Sequence, residues 1–246
     1  MDIFFEIHKE LPREGPGDTE STLKALSFVP EIREDGRILD IACGPGMQTI
    51  DLARNTKGTI EALDTHRPFL EVLEEKIREA GYGDRIKTRN HSMFHLDYGE
   101  ASFDLIWSEG AIYIIGFEKG LKAWKKFLKP GGHMVVSELS WLKKKISKSP
   151  QAFWGKHYPG ISTISKNMKI IEDSGYVPLA HFILPKEAWW KFYYRPLIRR
   201  IEKLRVEHQG DGKWERSLDE ELEEVELFKN YSSEYGYVFY VMRKIE

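Results

Sequence analysis

Residues 38–64 contain a strand–turn–helix–strand pattern that fixes most of what this 246-residue chain can fold into. The pattern opens with ILDIA, a short apolar run with two β-branched isoleucines, which is typical of a buried parallel strand. Cys43–Gly46 interrupts the run, and a helical stretch follows from Met47 to Arg54. A second strand, Thr59–Leu63, ends before Asp64. In such units a carboxylate about twenty residues beyond the first glycine can bind ribose hydroxyls.

The spacing of this unit also fits nicotinamide and flavin dinucleotide sites, because both use a glycine turn and a ribose-binding acid. A pyrophosphate cradle requires G-x-G-x-x-G, which brings a helix N-terminus onto the phosphates. Thr49 stands at the position of the third glycine. The turn therefore favours a ligand that contains ribose but no pyrophosphate.

The turn sequence D-x-A-C-G-P-G, residues 40–46, resembles motif I of the class I S-adenosylmethionine-dependent methyltransferases, and the resemblance extends to about Glu138. The segment HSMFHLDY lies where these enzymes carry G-D-A-x-x-L-P-[FY]. Ser92 replaces the usual aspartate there, and Asp97 stands at the usual proline. Further on, FDLIW and the helix–turn–strand sequence GLKAWKKFLKPGGHMVVSEL are similar to later family signatures.

This resemblance implies an α/β fold. We expect a doubly wound, Rossmann-like, mostly parallel seven-stranded sheet with helices on both faces and a helical insertion before the last strand. It also implies S-adenosylmethionine as cofactor and S-adenosylhomocysteine as product. The residues expected to bind the cofactor are Arg13, Asp40, Ala42, Gly44, Gly46, Met47, Asp64, Thr65, Ser92, Met93, Ser108 and Glu109.

The N-terminal segment REGPGD precedes a predicted helix, Thr19–Phe28, with Asp18 as its N-cap. It is similar to the flexible arm that covers the cofactor in small-molecule methyltransferases of the ubiquinone- and menaquinone-biosynthesis-like group. The resemblance implies that Arg13 pairs with the methionine carboxylate. Asp40 would then receive the methionine ammonium through the turn backbone or a water molecule.

The chain reads as a single methyltransferase domain, residues 1–246, with three parts. We expect an N-terminal arm at 1–35, a cofactor-binding core at 36–146, and the remainder of the sheet at 147–246. A helical lid is predicted at about 186–230. Its basic sequence RPLIRRIEKLR is balanced by a later EELEEVE run, which indicates solvated helix faces.

The predicted lid begins with a cluster of aromatic residues, PKEAWWKFYYRP, that is too dense for one helix face to bury. One interpretation is an aromatic wall around a small organic substrate or the sulfonium methyl, since ring faces attract cations. The alternative is packing of the lid onto the core, or a homodimer contact. The candidate substrate residues are Trp189, Trp190, Tyr193 and Tyr194.

Methyl transfer mainly requires that the nucleophile be aligned with the S–CH3 bond and that water be excluded. A base is needed where the acceptor is a hydroxyl or an ammonium. Open α/β sheets bind ligands at the carboxyl ends of their strands, which favours Glu109 after the fourth strand. Tyr113 and His157 are further candidates for catalytic or substrate contacts. Hydrogen bonds within its own loop are the alternative for Glu109, and packing is the alternative for Tyr113.

Composition argues against several other functions. The net charge of −2 and the pI near 6.5 give no global basic field for nucleic acid or an anionic membrane. No stretch approaches eighteen apolar residues and the N-terminus does not resemble a signal peptide, so a cytoplasmic protein is expected. The single cysteine, Cys43, cannot form an internal disulfide. His91, His95 and Asp97 lack a fourth ligand, so no metal is predicted.

The predicted function is therefore methyl transfer to a small, partly apolar or aromatic molecule. An S-adenosylmethionine-binding accessory or sensor protein, or a peptide or protein methyltransferase, remains the alternative. Glu109 and Glu118 have the separation of a guanidinium-clamping glutamate pair, but the T-H-W segment of arginine methyltransferases is missing. An occluded cavity bounded by Trp189, Tyr193 and Glu109 would favour the small-molecule enzyme, and an open groove would favour a peptide substrate.

Overall fold

A mostly parallel sheet organises the part of the chain, residues 3–245, that the computed structural model describes. Its strands are β1 (Arg37–Ile41), β2 (Thr59–Asp64), β3 (Ile86–Asn90), β4 (Phe103–Ser108), β5 (Leu128–Trp141), β6 (Ser162–Thr163), β7 (Tyr176–Ile183) and β8 (Tyr235–Lys244). The order across the sheet is β3-β2-β1-β4-β5-β8-β7, and the two-residue β6 pairs with β5.

Helices connect these strands on both faces of the sheet. They are α1 (Ile3–His8), α2 (Thr19–Leu26), α3 (Met47–Asn55), α4 (Arg67–Ala80), α5 (Phe117–Trp124), α6 (Lys148–His157), α7 (Ile164–Asp173), α8 (Lys186–Trp189), α9 (Arg195–Glu207) and α10 (Gly212–Tyr231). Short 3-10 turns lie at Ile112–Ile114 and Lys125–Phe127, and a π-helical turn, Trp190–Tyr194, joins α8 to α9.

The pairing of the strands confirms the doubly wound fold predicted from the sequence. β1 lies between β2 and β4 and is parallel to both. The chain runs outward from β1 to β3 and then returns to add β4 on the other side. This change of direction forms a switch point, where α/β folds bind ligands at the carboxyl ends of the strands. β8 enters antiparallel between β5 and β7, after the helical insertion.

Burial on both faces explains why β1 reads as a continuous apolar run. Ile38, Leu39, Asp40 and Ile41 are each fully buried. Successive side chains point to opposite faces, so Ile38 joins one hydrophobic cluster and Leu39 the other. Asp40, the acid in this run, is thus surrounded by apolar packing. Its contacts form part of the site described below.

The predicted ends of most helices and strands lie within one or two residues of the observed ends. The predicted helix Thr19–Phe28 ends at Leu26, and the predicted strand Thr59–Leu63 extends by one residue to Asp64. Asp18 caps α2 as expected, because its carboxylate accepts a hydrogen bond from the backbone N–H of Ser21 at 2.7 Å. No helix among residues 3–245 has both the length and the apolarity to cross a bilayer.

The aromatic cluster of the insertion packs largely onto the core. Trp189 is 1% exposed and stacks on Phe228 of α10, with ring centroids 4.0 Å apart. Tyr194 is fully buried, and its hydroxyl donates to Glu224 at 2.8 Å. Packing of the insertion onto the core therefore accounts for part of the cluster.

Replacement of Trp189 by alanine is expected to lower the free energy of unfolding by about 3–5 kcal/mol, since it removes a buried indole from the joint between the insertion and the core. Val206→Ala is the control, because Val206 is 77% exposed on α9 and its truncation should change stability by less than about 0.5 kcal/mol. Urea unfolding followed by circular dichroism measures both. A loss below 1 kcal/mol for Trp189→Ala would show that the insertion does not contribute to the core.

Candidate active site

A cleft of about 260 Å³ lies at the carboxyl ends of β1, β2 and β4. The turn after β1 and the loops after β2, β3 and β4 form its floor and sides. The N-terminal arm forms its cover, with Pro12, Arg13, Glu14, Gly15 and Pro16 in the wall. The cleft therefore occupies the switch point that the strand order creates, and the arm shields it from solvent.

The turn after β1 has an unusual backbone. Ala42, Gly44 and Gly46 all have positive φ angles, of 57°, 54° and 78°. A left-handed alanine is costly, and such strain persists only where the surroundings impose it. A β-carbon on Gly46 would also overlap the side chain of Leu73. These conformations bring the backbone amides of the turn to the edge of the cleft.

Asp64, at the end of β2, holds this turn in place. One carboxylate oxygen accepts a hydrogen bond from the Gly44 N–H at 3.0 Å, and the other accepts from the His66 N–H at 2.9 Å. Burial raises the pKa of Asp64, and the two backbone donors oppose that effect. Asp64 also lines the cleft, so its remaining lone pairs are available to a ligand.

Asp40 lies behind the turn, fully buried in β1. One of its oxygens accepts from the Thr49 hydroxyl at 2.6 Å and from the Gln48 amide at 3.4 Å, and no described residue donates to the other oxygen. Burial raises the pKa of Asp40 to about 7. Thr49, which breaks the dinucleotide glycine pattern, thus serves to anchor the carboxylate that supports the turn.

A buried ion pair connects the arm to the end of β4. Arg13 donates to Glu109 at 2.6 Å, and the two side chains are 6% and 1% exposed. The other oxygen of Glu109 accepts from Thr22 and from the Trp107 indole, both at 2.8 Å. Glu109 is therefore bonded to the arm, to α2 and to its own strand, rather than to backbone amides of its own loop.

Two donors of the Arg13 guanidinium are left over. Nε and Nη1 are buried, and no described residue accepts a hydrogen bond from either. A β-carbon on Gly17 would lie 2.5 Å from Nη2, so the absence of a side chain there makes room for the guanidinium. Buried donors without partners are costly, which makes these two atoms a natural contact for an anionic ligand group.

The loop after β3 forms the opposite end of the cleft. His91, Ser92, Met93 and Phe94 all line it. The Ser92 hydroxyl accepts from the Phe94 N–H at 3.3 Å, and Met93 is buried. This end is apolar with a few polar groups, as a site for a planar base requires.

Most of the predicted cofactor residues line this cleft. They are Arg13, Ala42, Gly44, Met47, Asp64, Thr65, Ser92, Met93 and Glu109. Asp40, Gly46 and Ser108 do not line it. Asp40 and Gly46 shape the turn from behind, and the Ser108 hydroxyl donates to the Ile41 carbonyl at 3.0 Å, which fixes β4 to β1.

A second cavity, of about 300 Å³, adjoins the cleft. The two share Phe4, Glu14, Gly15, Pro16, Gly110 and Tyr113 as wall residues. The insertion contributes Trp189 and Tyr193 together with three glutamates of α10, Glu220, Glu221 and Glu224. Of the predicted catalytic and substrate residues, Tyr113, His157, Trp189 and Tyr193 line this cavity, whereas Glu109, Trp190 and Tyr194 do not.

Sequence reasoning missed Glu14 and the three glutamates of α10. Burial and the nearby Asp64 raise the pKa of Glu14 to about 9, and one of its carboxylate oxygens is buried without a partner. The REGPGD segment pointed to the arm but not to this residue. The acidic run of α10 resembled a solvated face, since nothing in its spacing separates the glutamates that face the cavity from those that face water.

No set of three or more His, Cys, Asp or Glu side chains arranged to hold a metal ion exists among the residues that the structure describes. His91 instead contacts the His95 carbonyl, with its Nε2 2.7 Å from the oxygen. Asp97 pairs with Arg89, with a shortest N–O distance of 2.7 Å. The three polar residues of this loop are therefore engaged in local contacts.

Residues 38–132 match the family model described as a methyltransferase domain. Over this stretch the chain is similar to that family. Methyltransferase GfsG of Streptomyces halstedii is 31% identical over 104 residues, which are 42% of this chain and 37% of that protein. The ubiquinone/menaquinone biosynthesis C-methyltransferase UbiE of Geotalea daltonii is 28% identical over 121 residues, 48% of this chain and 50% of its own length. The chain thus spans half or less of these curated relatives, which confirm the class I resemblance.

Solved structures extend the agreement in fold to the whole chain. The structure of YjhP from E. coli has a TM-score of 0.83 and 20% identity, and the match covers 100% of this chain and 99% of that one. A methyltransferase from Geobacter sulfurreducens, solved with S-adenosylhomocysteine, has a TM-score of 0.82 and 16% identity, with 99% and 98% covered. The arm and the insertion therefore belong to a fold already seen in other proteins.

Glu109→Gln is expected to lower the free energy of unfolding by about 3 kcal/mol or more, because it leaves the Arg13 guanidinium buried without a counter-charge. The matched control is Asp219→Asn, which breaks an exposed arginine–carboxylate contact of 2.7 Å with Arg205. Exposed pairs contribute less than about 1 kcal/mol. Chemical denaturation of both variants tests the difference. Equal, small losses would mean that Glu109 is not a support for the arm.

Proposed function

We propose that this protein transfers the methyl group of S-adenosylmethionine to a small, partly apolar or aromatic acceptor by in-line displacement. The observation that carries the proposal is the pair of adjoining cavities at the switch point of a methyltransferase fold. One has the turn, acid and apolar end that the cofactor requires, and the other is lined by aromatic rings. Their shared wall is where the methyl group would pass.

The residues of the cleft fit the cofactor by chemistry. Asp64 would bind the ribose hydroxyls, and Ser92 and Met93 would contact the adenine. The free Nε and Nη1 of Arg13 match a methionine carboxylate, to which a guanidinium can donate two parallel hydrogen bonds. The Gly44 amide and the N-terminus of α3 at Met47 would complete the contacts, with Asp40 near the methionine ammonium.

When bound, S-adenosylmethionine supplies a methyl group that its sulfonium charge already activates. The chain's task is then to align the acceptor and exclude water. The arm and residues 186–231, which we propose as the lid, cover the two cavities between them. Tyr113, at the shared wall, is placed to orient the acceptor. Glu109 acts through Arg13, because its oxygens are occupied by Arg13, Thr22 and Trp107.

The second cavity also distinguishes between the alternative functions. A pocket bounded by Trp189 and Tyr193 favours a small acceptor over an extended peptide. The Geotalea relative is named as a methyltransferase of ubiquinone and menaquinone biosynthesis, which supports an acceptor with an apolar body. An accessory or sensor role would require the lid to contact another chain, and a homodimer and a cytoplasmic location stay predictions.

Asp64→Ala is expected to weaken binding of S-adenosylmethionine and S-adenosylhomocysteine at least tenfold, since it removes the carboxylate at the ribose position. The control is Asp84→Ala, which changes an exposed aspartate in the loop between α4 and β3. Isothermal titration calorimetry measures both affinities. Saturable binding that is unaffected by Asp64→Ala would remove Asp64 from the site, and no binding at millimolar ligand by the folded parent protein would overturn the proposed cofactor.

Arg13→Lys tests whether Arg13 binds the amino-acid end of the cofactor. Lysine retains a charge for Glu109 but cannot form a bidentate pair with a carboxylate. Binding of S-adenosylhomocysteine should weaken about tenfold or more, while binding of 5′-methylthioadenosine, which lacks the amino-acid part, should stay unchanged. Calorimetry with both ligands decides the matter. Equal weakening for the two ligands would show that Arg13 shapes the cleft rather than binding the carboxylate.

A further inference from the structure

The second cavity has a wall of unusual composition. Eight aromatic side chains line it: Phe4, Tyr113, Phe153, Trp154, Tyr158, Trp189, Tyr193 and Tyr237. Four carboxylates, Glu14, Glu220, Glu221 and Glu224, lie between them. None of the described residues in this wall is lysine or arginine. The cavity therefore combines ring faces with carboxyl groups, and the described part of its wall has no lysine or arginine to pair with them.

A further carboxylate lies just behind the rings. Glu138, on β5, is 1% exposed, and one of its oxygens accepts from the Tyr158 hydroxyl at 2.5 Å. The other oxygen is buried and has no partner among the described residues. Glu138 also interacts electrostatically with Tyr113 and Tyr237, two other wall residues. Its unpartnered oxygen is thus held among three rings of the cavity.

His8, which contacts one of these acids, does not favour its ionised form strongly, because burial disfavours a charge on the imidazole. His8 of α1 lies 3.9 Å from Glu221, but burial lowers its pKa, so it is uncharged at neutral pH. Burial raises the pKa of Glu221 and of Glu138 to about 8. The direction of these shifts means that the carboxyl groups lack counter-charges. A cation that enters the cavity would supply one and favour their ionised form.

Each alternative ligand class fits this wall less well. An anionic acceptor would be repelled by the glutamates. A neutral apolar acceptor would fill the aromatic part but leave the carboxyl groups desolvated and unpaired, which is unfavourable. A cation with an apolar body satisfies both, because ring faces attract it and carboxylates pair with it.

From this juxtaposition of eight rings with four glutamates and no cation, we propose that the methyl acceptor is a small organic amine with an apolar or aromatic body. It enters as a cation and is methylated at nitrogen. The proposal rests on the proposed methyl transfer and specifies the substrate class of that reaction.

The proposed N-methylation moves one proton and one methyl group. Burial raises the pKa of Glu14 to about 9, and the positive charge of the bound amine favours the ionised form of this carboxyl group. The ammonium proton then passes to the Glu14 carboxylate, which lies in the wall shared by the two cavities. The nitrogen lone pair then forms the N–CH3 bond while the S–CH3 bond breaks, and that electron pair stays on sulfur. Positive charge moves from sulfur to nitrogen, so the product is again a cation. The same rings and glutamates can stabilise it before it leaves.

The test is a binding comparison on protein saturated with S-adenosylhomocysteine. The probes are 2-phenylethylamine, tryptamine and cyclohexylmethylamine, each with its alcohol and carboxylate analogue of similar size. We expect the amines to bind at least tenfold more tightly than the alcohols and the carboxylates not to bind, as measured by calorimetry. Alcohols or carboxylates that bind as tightly as the amines, or amines that all fail to bind, would overturn the proposal.

Variants of α10 test whether its glutamates bind the amine. In Glu221→Gln/Glu224→Gln the charge is removed while the acceptor for the Tyr194 hydroxyl is kept. Amine binding should weaken tenfold or more, with affinity for S-adenosylhomocysteine unchanged. The matched control is Glu223→Gln, on the same helix but exposed and outside the cavity wall. Equal effects of the double variant and the control would contradict the proposed role of the cavity.

The same measurements separate this proposal from the proposed function. Failure of the parent protein to bind S-adenosylhomocysteine would overturn the methyltransferase assignment itself. Normal cofactor binding without a preference for amines would overturn only the substrate class. Incubation with labelled S-adenosylmethionine adds a chemical readout, since an N-methyl product supports the proposal and an O-methyl product from the alcohol analogue contradicts it.

Discussion

The buried pair of Arg13 and Glu109 is the interaction on which the site depends. The two charges lie 2.6 Å apart and are almost completely shielded from water, so neither is stable there without the other. Through this contact the arm is fixed to the end of β4 and covers the cleft. The pair also leaves Nε and Nη1 of the guanidinium without partners. An interaction that fixes the arm therefore also presents two donors to the cavity beneath it.

The geometry of the turn, the helix and the acid in the proposed cofactor cleft could be predicted from the sequence because these parts are local. The turn, α3 and Asp64 follow one another within a single βαβ unit, and the hydrogen bond from Gly44 to Asp64 spans only twenty residues. Even the departure from the dinucleotide pattern at Thr49 is explained locally, by its hydrogen bond to Asp40. A pattern of this kind determines geometry as well as residue type, since the parallel strands fix where the turn and the acid lie.

The partners of Glu109 and the wall of the second cavity could not be predicted, because these contacts are distant in sequence. Glu109 meets Arg13 across 96 residues and Thr22 across 87, so its position after β4 indicated a cleft residue but not its partners. The α10 glutamates resembled a solvated run because helical spacing alone does not tell which turn faces a cavity. The aromatic cluster was ambiguous for the same reason. Trp189 and Tyr193, four residues apart, line the cavity, whereas Trp190 and Tyr194 do not.

The arm joins the two halves into one unit. Glu14, Gly15 and Pro16 belong to the walls of both cavities, and the preceding residue carries the buried ion pair. A ligand carboxylate that paired with the free donors of Arg13 would therefore stabilise the arm, and with it one wall of the acceptor cavity. Binding energy gained far from the reacting atoms would then contribute to the order of the acceptor site. In the proposed methyl transfer, the same arm residues would therefore both shield the methyl group from water and complete the wall of the acceptor cavity.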